Sequence, residues 1–369
     1  MTSLLPEGLR DRLPPQAEAG AAILRAALDA IRAHGYERVA PPLAEYEESL
    51  AGRLKSGTAR DLLRVVDPLS QRTLALRPDI TTQVGRIAAT RLAHRPRPLR
   101  LSYGGPVVKL RASQLRPERE MTQIGAELIG RDSAAAAAEI VALAVEALGA
   151  AGASGIAVDL TLPDLVDTLA AGPLPLGEDR RAEVRALLDA KDAGGLAAAG
   201  ASGYLPLIEA AGPFAQAIER LRRIDTGGAL ASRLSALELI AARLEGVGTV
   251  TLDPTERHGF EYQSWLGFSL FADGLTGEIG RGGAYTILHE DGREEPAVGF
   301  SIYPDPLLDL ALREEPAARL FLPLDHDPAE AARLRAQGWV TVAALDESCT
   351  PETATHLLGP DGPTPLNRS

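Results

Sequence analysis

The sequence predicts an α+β fold: an antiparallel sheet flanked by helices, interrupted by a helical insertion and followed by a small C-terminal appendage. Three observations predict it. Short runs rich in Val, Leu, Ile and Tyr, bounded by Pro, Gly and Asp, recur between residues 36 and 130 and again after residue 246. Between about 163 and 246 the text turns helical, as in AEVRALLDA and ASRLSALELIAARLEG. Strands and helices do not alternate one for one, which sets the chain apart from a parallel βαβ sheet.

The elements follow in order. Over residues 18–33, Ile23, Leu24, Ala27, Leu28 and Ile31 recur at helical spacing, and Gly35 is placed as a C-cap glycine. Next come the strand-like YERVAPPLAEYEESL, LLRVVD, RTLALRPD, LRLSYGG and MTQIGAELIG, with helices expected over 81–91 and 133–148. GAAGASG, residues 149–155, reads as a linker, and GIAVDLTL as another strand. After the helical insertion, GTVTLD, GFEYQSWLGFSLFA, GAYTILHED and AVGFSIY resume the sheet. Two regions follow: 1–313, carrying the insertion, and a small C-terminal region, 314–369, with a strand, a helix and a strand before a Pro/Gly-rich tail.

Composition narrows the function. The chain has 369 residues, 45% of them hydrophobic, long enough for a real buried core. A net charge of −12 argues against a nucleic-acid partner, because gripping a polyanion takes a basic face. Cys349 is the only cysteine, which rules out an internal disulfide and any cysteine metal cluster; no metal or cofactor is expected. Pro6 and Glu7 break the only apolar run at the N-terminus, and no stretch is long and apolar enough to span a bilayer, so a cytoplasmic protein without membrane contact is expected. The loop GEIGRGG, residues 277–283, lacks the lysine and the strand–glycine–helix context of a phosphate loop.

The chemistry concentrates on one strand. In MTQIGAELIG the side chains alternate, so Gln123, Gly125 and Glu127 share one face while Ile124, Ala126 and Leu128 take the other. A glycine between an amide and a carboxylate is expected to leave room for a ligand near the backbone. The plain alternative is the solvated face of an edge strand. In RPDITTQ, Asp79 and Thr81 stand where a helix begins, and either serves equally well as an N-cap.

These blocks together resemble the class II histidyl-tRNA synthetase family. The likeness runs through LLPEGLRDRLPP, GYERVAPPLAEYEE, LALRPDITTQVGR, GPVVKLRASQLRPEREMTQIGAELIG, GFEY, GGAY and PAVGF, most of residues 4–306. It implies a six-stranded antiparallel sheet and a self-dimer built around GYERVAPP. It also implies a histidine pocket of Asp79, Thr81, Gln123, Glu127, Glu261, Tyr262 and Tyr285. In that pocket Asp79, Gln123 and Glu127 are expected to neutralise the ligand's ammonium, and Glu261 and Tyr262 to read its imidazole. Gln263 departs from the pattern, standing where the synthetases usually carry a second tyrosine.

The nucleotide half of the resemblance is degenerate. Lys109 replaces the arginine that grips the α-phosphate, Arg111 a glutamate that reads adenine, and Met121 the aromatic ring that stacks on the base. His258 stands where the histidine-specific arginine belongs, and Pro306 where an arginine contacts the γ-phosphate. Lysine lacks the bidentate fork of arginine, and arginine cannot accept hydrogens from an adenine amino group. No catalytic residues are expected, and the chain stops before an anticodon-binding domain.

An intact amino-acid pocket beside a lost nucleotide site resembles the regulatory-subunit family of ATP phosphoribosyltransferase, with RPDIT as a typical phrase. That likeness implies histidine sensing and a short-form catalytic partner subunit in a hetero-octamer of four plus four chains. The alternatives are a histidine-activating enzyme with a rearranged ATP site and a stand-alone histidine-binding protein.

Overall fold

The computed structural model describes residues 5–50, 62–111, 117–257, 263–311 and 318–366. The chain divides into two compact units, residues 1–311 and 312–369. In the first, helix α1 (Gln16–Ala33) buries Ile23, Ala27, Leu28 and Ile31, and Gly35 ends it at φ +81°, a conformation that costs glycine nothing. Strand β1 (Glu37–Arg38) follows, then β2 (Ala44–Tyr46), the short α2 (Glu47–Leu50), β3 (Leu63–Val66) and β4 (Thr73–Leu76). The last three strands form their own sheet in the order β2-β4-β3.

Helix α3 (Thr81–Ala89) leads to the long hairpin of β5 (Leu99–Val108) and β6 (Glu120–Ile129). Helix α4 (Ala134–Ala150) starts under a true cap, the Ser133 hydroxyl accepting from the Ala136 N–H, and β7 (Ala157–Thr161) returns to the sheet. Gly149 and Ala150 close α4, and residues 151–155 link it to β7 within the first unit. The insertion holds α5 (Leu165–Ala170), α6 (Glu178–Asp189), α7 (Ala193–Ala198), a 3-10 segment (Ser202–Ala210), β8 (Gly212–Pro213), α8 (Phe214–Ile224) and α9 (Ala231–Arg243). Strands β9 (Thr249–Leu252), β10 (Gln263–Phe271), β11 (Gly280–Leu288) and β12 (Glu294–Ile302) and helix α10 (Leu307–Ala311) complete the unit. GEIGRGG thus runs into a strand and forms no phosphate loop.

The main sheet has nine strands in the order β1-β5-β6-β12-β11-β10-β7-β9-β8. Antiparallel pairing dominates, as the sequence predicts, but β1 runs parallel to β5 and β7 parallel to β9. Parallel neighbours need a crossover of a dozen or more residues, and the helical insertion is that crossover between β7 and β9. One sheet face, with Ile124, Ala126, Leu128, Val298, Phe300 and Phe268, packs on α1 and α4. The opposite face carries Leu101, Tyr103, Ile129, Tyr285 and Ala297 and packs with Ile80, Val84 and Ala88 at α3. The polar site lies on this second face.

The C-terminal unit has β13 (Arg319–Leu322), α11 (Pro328–Ala336), β14 (Val340–Ala343), β15 (His356–Gly359) and β16 (Gly362–Pro365), in the order β14-β13-β15-β16. Leu320, Leu322, Ala331, Leu334 and Leu358 form its core. The Pro/Gly-rich tail folds into the β15–β16 hairpin, which the sequence reading missed. Gly362, at φ +108°, allows the tight reversal, and the prolines sit on β16, an edge strand where a missing N–H is tolerated.

Candidate functional site

Asp79 precedes α3, and its carboxylate holds two elements together. Oδ1 accepts the Thr81 N–H at 2.6 Å, and Oδ2 accepts from Gln123 Nε2 at 3.0 Å. The cap reading of Asp79 is thus realised through the Thr81 backbone. The Thr81 hydroxyl bonds elsewhere, 2.9 Å from Tyr103 Oη. Gln123 on β6 is fully buried; its Nε2 also donates to Ser301 Oγ at 2.7 Å, and its Oε1 accepts the Ile80 N–H at 2.8 Å. Gln123 therefore fixes Asp79 and the start of α3 in place.

Four residues along β6, on the same face, Glu127 is 1% exposed. Its Oε1 accepts from Tyr103 Oη at 3.0 Å and its Oε2 from Tyr285 Oη at 2.7 Å. Burial pushes this carboxyl up to about 8, against the two phenol hydrogen bonds, with the negative Asp79 adding to the rise. The Tyr103 phenol is also pushed up, by its own burial and then by the charges of Glu127 and Asp79.

Tyr103 and Ser301, which sequence reasoning missed, belong to the same hydrogen-bonded site. Tyr103 Oη also lies 3.0 Å from Ser301 Oγ, so the two hydroxyls join Asp79 and Gln123 to Glu127 and Tyr285 in one continuous hydrogen-bonded chain. The missed signal is cross-strand: Tyr103 on β5 and Ser301 on β12 both pair in register with Gly125. Gly125 accordingly leaves no open room for a ligand. A Cβ there would stand 2.3 Å from the Phe300 carbonyl oxygen and 2.4 Å from Tyr103 Oη, so the glycine makes way for its neighbours.

Asp79, Thr81, Gln123, Glu127 and Tyr285 come together in this arrangement, whereas Glu261 and Tyr262 lie outside the described residues. The cleft bounded by Thr81, Glu127, Arg281, Tyr285 and Ser301 measures about 10 Å³, room for a single water molecule. Its floor is glycine, at positions 282, 283 and 299. An amino acid enters only by parting these side chains. The site offers two carboxylates, one at each end of the polar chain, and suits a ligand with hydrogen-bond donors at both ends.

The nucleotide-side positions are arranged otherwise. Lys109 and Arg111 are exposed, with Lys109 Nζ 5.9 Å from the Tyr303 ring centroid; Met121 is buried and Pro306 exposed. His258 lies outside the described residues. Beside Met121 and Pro306 opens a cavity of about 260 Å³ that also takes in Arg10, Glu118, Thr276 and Asp305. Its arginine is matched by a carboxylate, Arg10 facing Glu118 at 3.5 Å, and its Asp305 pairs with the neighbouring Arg12 at 2.5 Å. A triphosphate would meet Glu118 and Asp305 there, the opposite of a preorganised anion site. Among the described residues no cluster of three His, Cys, Asp or Glu is placed to hold a metal ion, and no helix is long and apolar enough to cross a membrane.

A mixed sheet carrying a closed polar site on one face, beside a cavity lined by Glu118 and Asp305, is the arrangement the comparisons place in a synthetase-like class. The histidyl-tRNA synthetase family model matches residues 8–307. A histidyl-tRNA synthetase from Nostoc sp. PCC 7120 shares the fold, with a TM-score of 0.79 at 16% identity over 98% of this chain and 92% of that one. A solved structure from Bacillus halodurans C, described as an ATP phosphoribosyltransferase regulatory subunit/histidyl-tRNA synthetase, aligns at TM-score 0.77 and 26% identity over 95% of each chain. The ATP phosphoribosyltransferase regulatory subunit of Paramagnetospirillum magneticum is 45% identical over 98% of this chain and 97% of its own. The chain belongs to the ATP phosphoribosyltransferase regulatory subunit family, a branch of the histidyl-tRNA synthetase-like fold.

Proposed function

We propose that the chain is a non-catalytic regulatory subunit that binds histidine in the Asp79–Glu127 site and assembles with catalytic ATP phosphoribosyltransferase subunits in the cytoplasm, serving histidine biosynthesis. The observation that carries this reading is the division of the site. The amino-acid side keeps a buried chain of matched hydrogen bonds that includes two carboxyls, while Arg10 and Arg12 at the nucleotide side face carboxylates of their own.

Histidine matches the two ends. Asp79, held by Gln123 and by the Thr81 N–H, takes the ammonium. Glu127, overhanging the glycine floor, takes a ring nitrogen. This departs from the sequence expectation, which gave Glu127 to the ammonium; the Tyr103 hydroxyl standing between Gln123 and Glu127 separates the two carboxylates. Feedback then follows if histidine favours one arrangement of the complex over another, a coupling typically of about 1–3 kcal/mol.

The test is the activity of the short catalytic subunit from the same cell, with and without this chain, across a histidine titration. Activation by the chain and inhibition by histidine are the expected results; no effect of either sinks the regulatory reading. Histidine-dependent ATP–pyrophosphate exchange is expected to be absent, and its presence would revive the activating-enzyme reading. Light scattering of the mixed subunits is expected to give four plus four chains, and of this chain alone a dimer.

A further inference from the structure

Arg281 on β11 lines the closed cleft together with Thr81, Glu127, Tyr285 and Ser301, and it is the cation among the side chains that bound it. Strand pairing puts it there. Ser269 on β10 pairs with Arg281, Arg281 with Ser301 on β12, Ser301 with Gly125 on β6, and Gly125 with Tyr103 on β5. These five residues form one row across the sheet, and it crosses β6 midway between Gln123 and Glu127. Because the side-chain period of a strand is two, Arg281 shares the face of Tyr285, while Ala284 packs with the opposite core.

The guanidinium is held in place. Glu278, in the segment before β11, accepts from Nε at 2.7 Å and from Nη2 at 3.0 Å, and Ser269 Oγ donates to the same carboxylate at 2.7 Å. The side chains of Arg281 and Glu278 are 31% and 19% exposed, and an ion pair that open to water adds little stability of its own. Orientation gives the pair a use. A guanidinium carries five donors in a rigid fork, and a carboxylate along its Nε–Nη2 edge fixes where the others point.

An α-amino acid carries its ammonium and its carboxylate on the same carbon. Asp79 and Glu127 suit its ammonium and N–H groups, but two acids alone repel a carboxylate. From Asp79 the hydrogen bonds run through Gln123 Nε2 to Ser301 Oγ, at 3.0 Å and 2.7 Å, and Arg281 stands one strand, about 4.8 Å, beyond Ser301. We propose that Arg281 takes the carboxylate of the bound amino acid, with Glu278 positioning it, so that the site recognises the free zwitterion and rejects amines, amides and esters. The proposal rests on the histidine reading above and adds the group that answers the ligand's negative charge.

The experiment is calorimetric titration of the full chain with L-histidine and with histamine, which is histidine without its carboxylate, for the wild type, Arg281→Gln and Arg281→Lys. Wild type is expected to bind histidine tenfold or more tightly than histamine. Arg281→Gln is expected to bind histidine about tenfold more weakly and histamine within twofold of wild type, closing the gap. Arg281→Lys, which keeps a cation without the fork, retains part of it. A loss equal for both ligands in Arg281→Gln marks a structural role alone; that result, or an unchanged gap, overturns the proposal and leaves the histidine reading standing. Equal binding of the two ligands by wild type overturns the carboxylate contact without any variant having to fold. No histidine binding by wild type overturns both.

Discussion

The two halves of the site differ in how their charges are spent. On the amino-acid side, the Asp79 and Glu127 carboxyls meet neutral partners among the described residues, the Thr81 N–H, Gln123, Tyr103 and Tyr285. On the nucleotide side, Arg10 and Arg12 already face Glu118 and Asp305. A buried carboxyl with no cation beside it holds its proton until a cationic ligand arrives, whereas matched pairs make no such demand. The same sheet thus carries carboxyls with neutral partners at one place and paired charges at the other.

The comparison breaks most visibly at Gly125. Gly125→Ala forces a methyl against the Phe300 carbonyl and the Tyr103 hydroxyl, and is expected to destabilise the protein by about 3 kcal/mol, measured by urea unfolding. An unchanged midpoint would show that β5, β6 and β12 can part freely, and the matched polar chain would lose its rigidity as an explanation. Glu127→Ala is next: removing a charged hydrogen-bonding partner is expected to weaken histidine binding by about 10- to 100-fold in calorimetry. A change under threefold removes Glu127 from the ligand.

The pH dependence sharpens the contrast. With its carboxyl pushed up to about 8, Glu127 is largely protonated in the empty site at neutral pH. Its folded value is raised, so its contribution to stability is fully present below the ordinary 4.5 and is lost as pH rises through about 8. The histidine ring loses its own extra proton near pH 6.5, so ring and Glu127 share a single proton between about 6.5 and 8, and the Glu127 contribution to histidine affinity should be greatest in that window and fall on either side of it. Titration in buffers of different ionisation heat counts the protons released, and Glu127→Gln is expected to remove this component; a profile identical to wild type argues against it. The smallest effect belongs to the other half: Lys109→Ala is expected to change histidine affinity less than twofold, and a tenfold loss would show that the two halves are energetically joined.

Much of the amino-acid side was legible from alternation alone. MTQIGAELIG placed Gln123, Gly125 and Glu127 on one face because a strand's side-chain period is two, a local property. The same reading misjudged Gly125 and passed over Tyr103 and Ser301, because their meeting depends on the register of β5 and β12 against β6, pairings that no single segment encodes. Gln263 was visible only as a departure from a tyrosine; its side-chain oxygen, without a partner among the described residues, lies over Gly283 only because β10 turns there.

By itself the sequence determined the α+β class, the helical insertion and the identity of the polar face, since periodicity and residue chemistry travel with the chain. The tertiary structure alone decided the parallel pairings at β1 and β9, the hydrogen-bonded chain from Asp79 to Tyr285, and the burial that holds the Glu127 proton near neutral pH. Register, desolvation and unsatisfied acceptors are properties of groups brought together from distant positions, and they exist only once the sheet has closed around them.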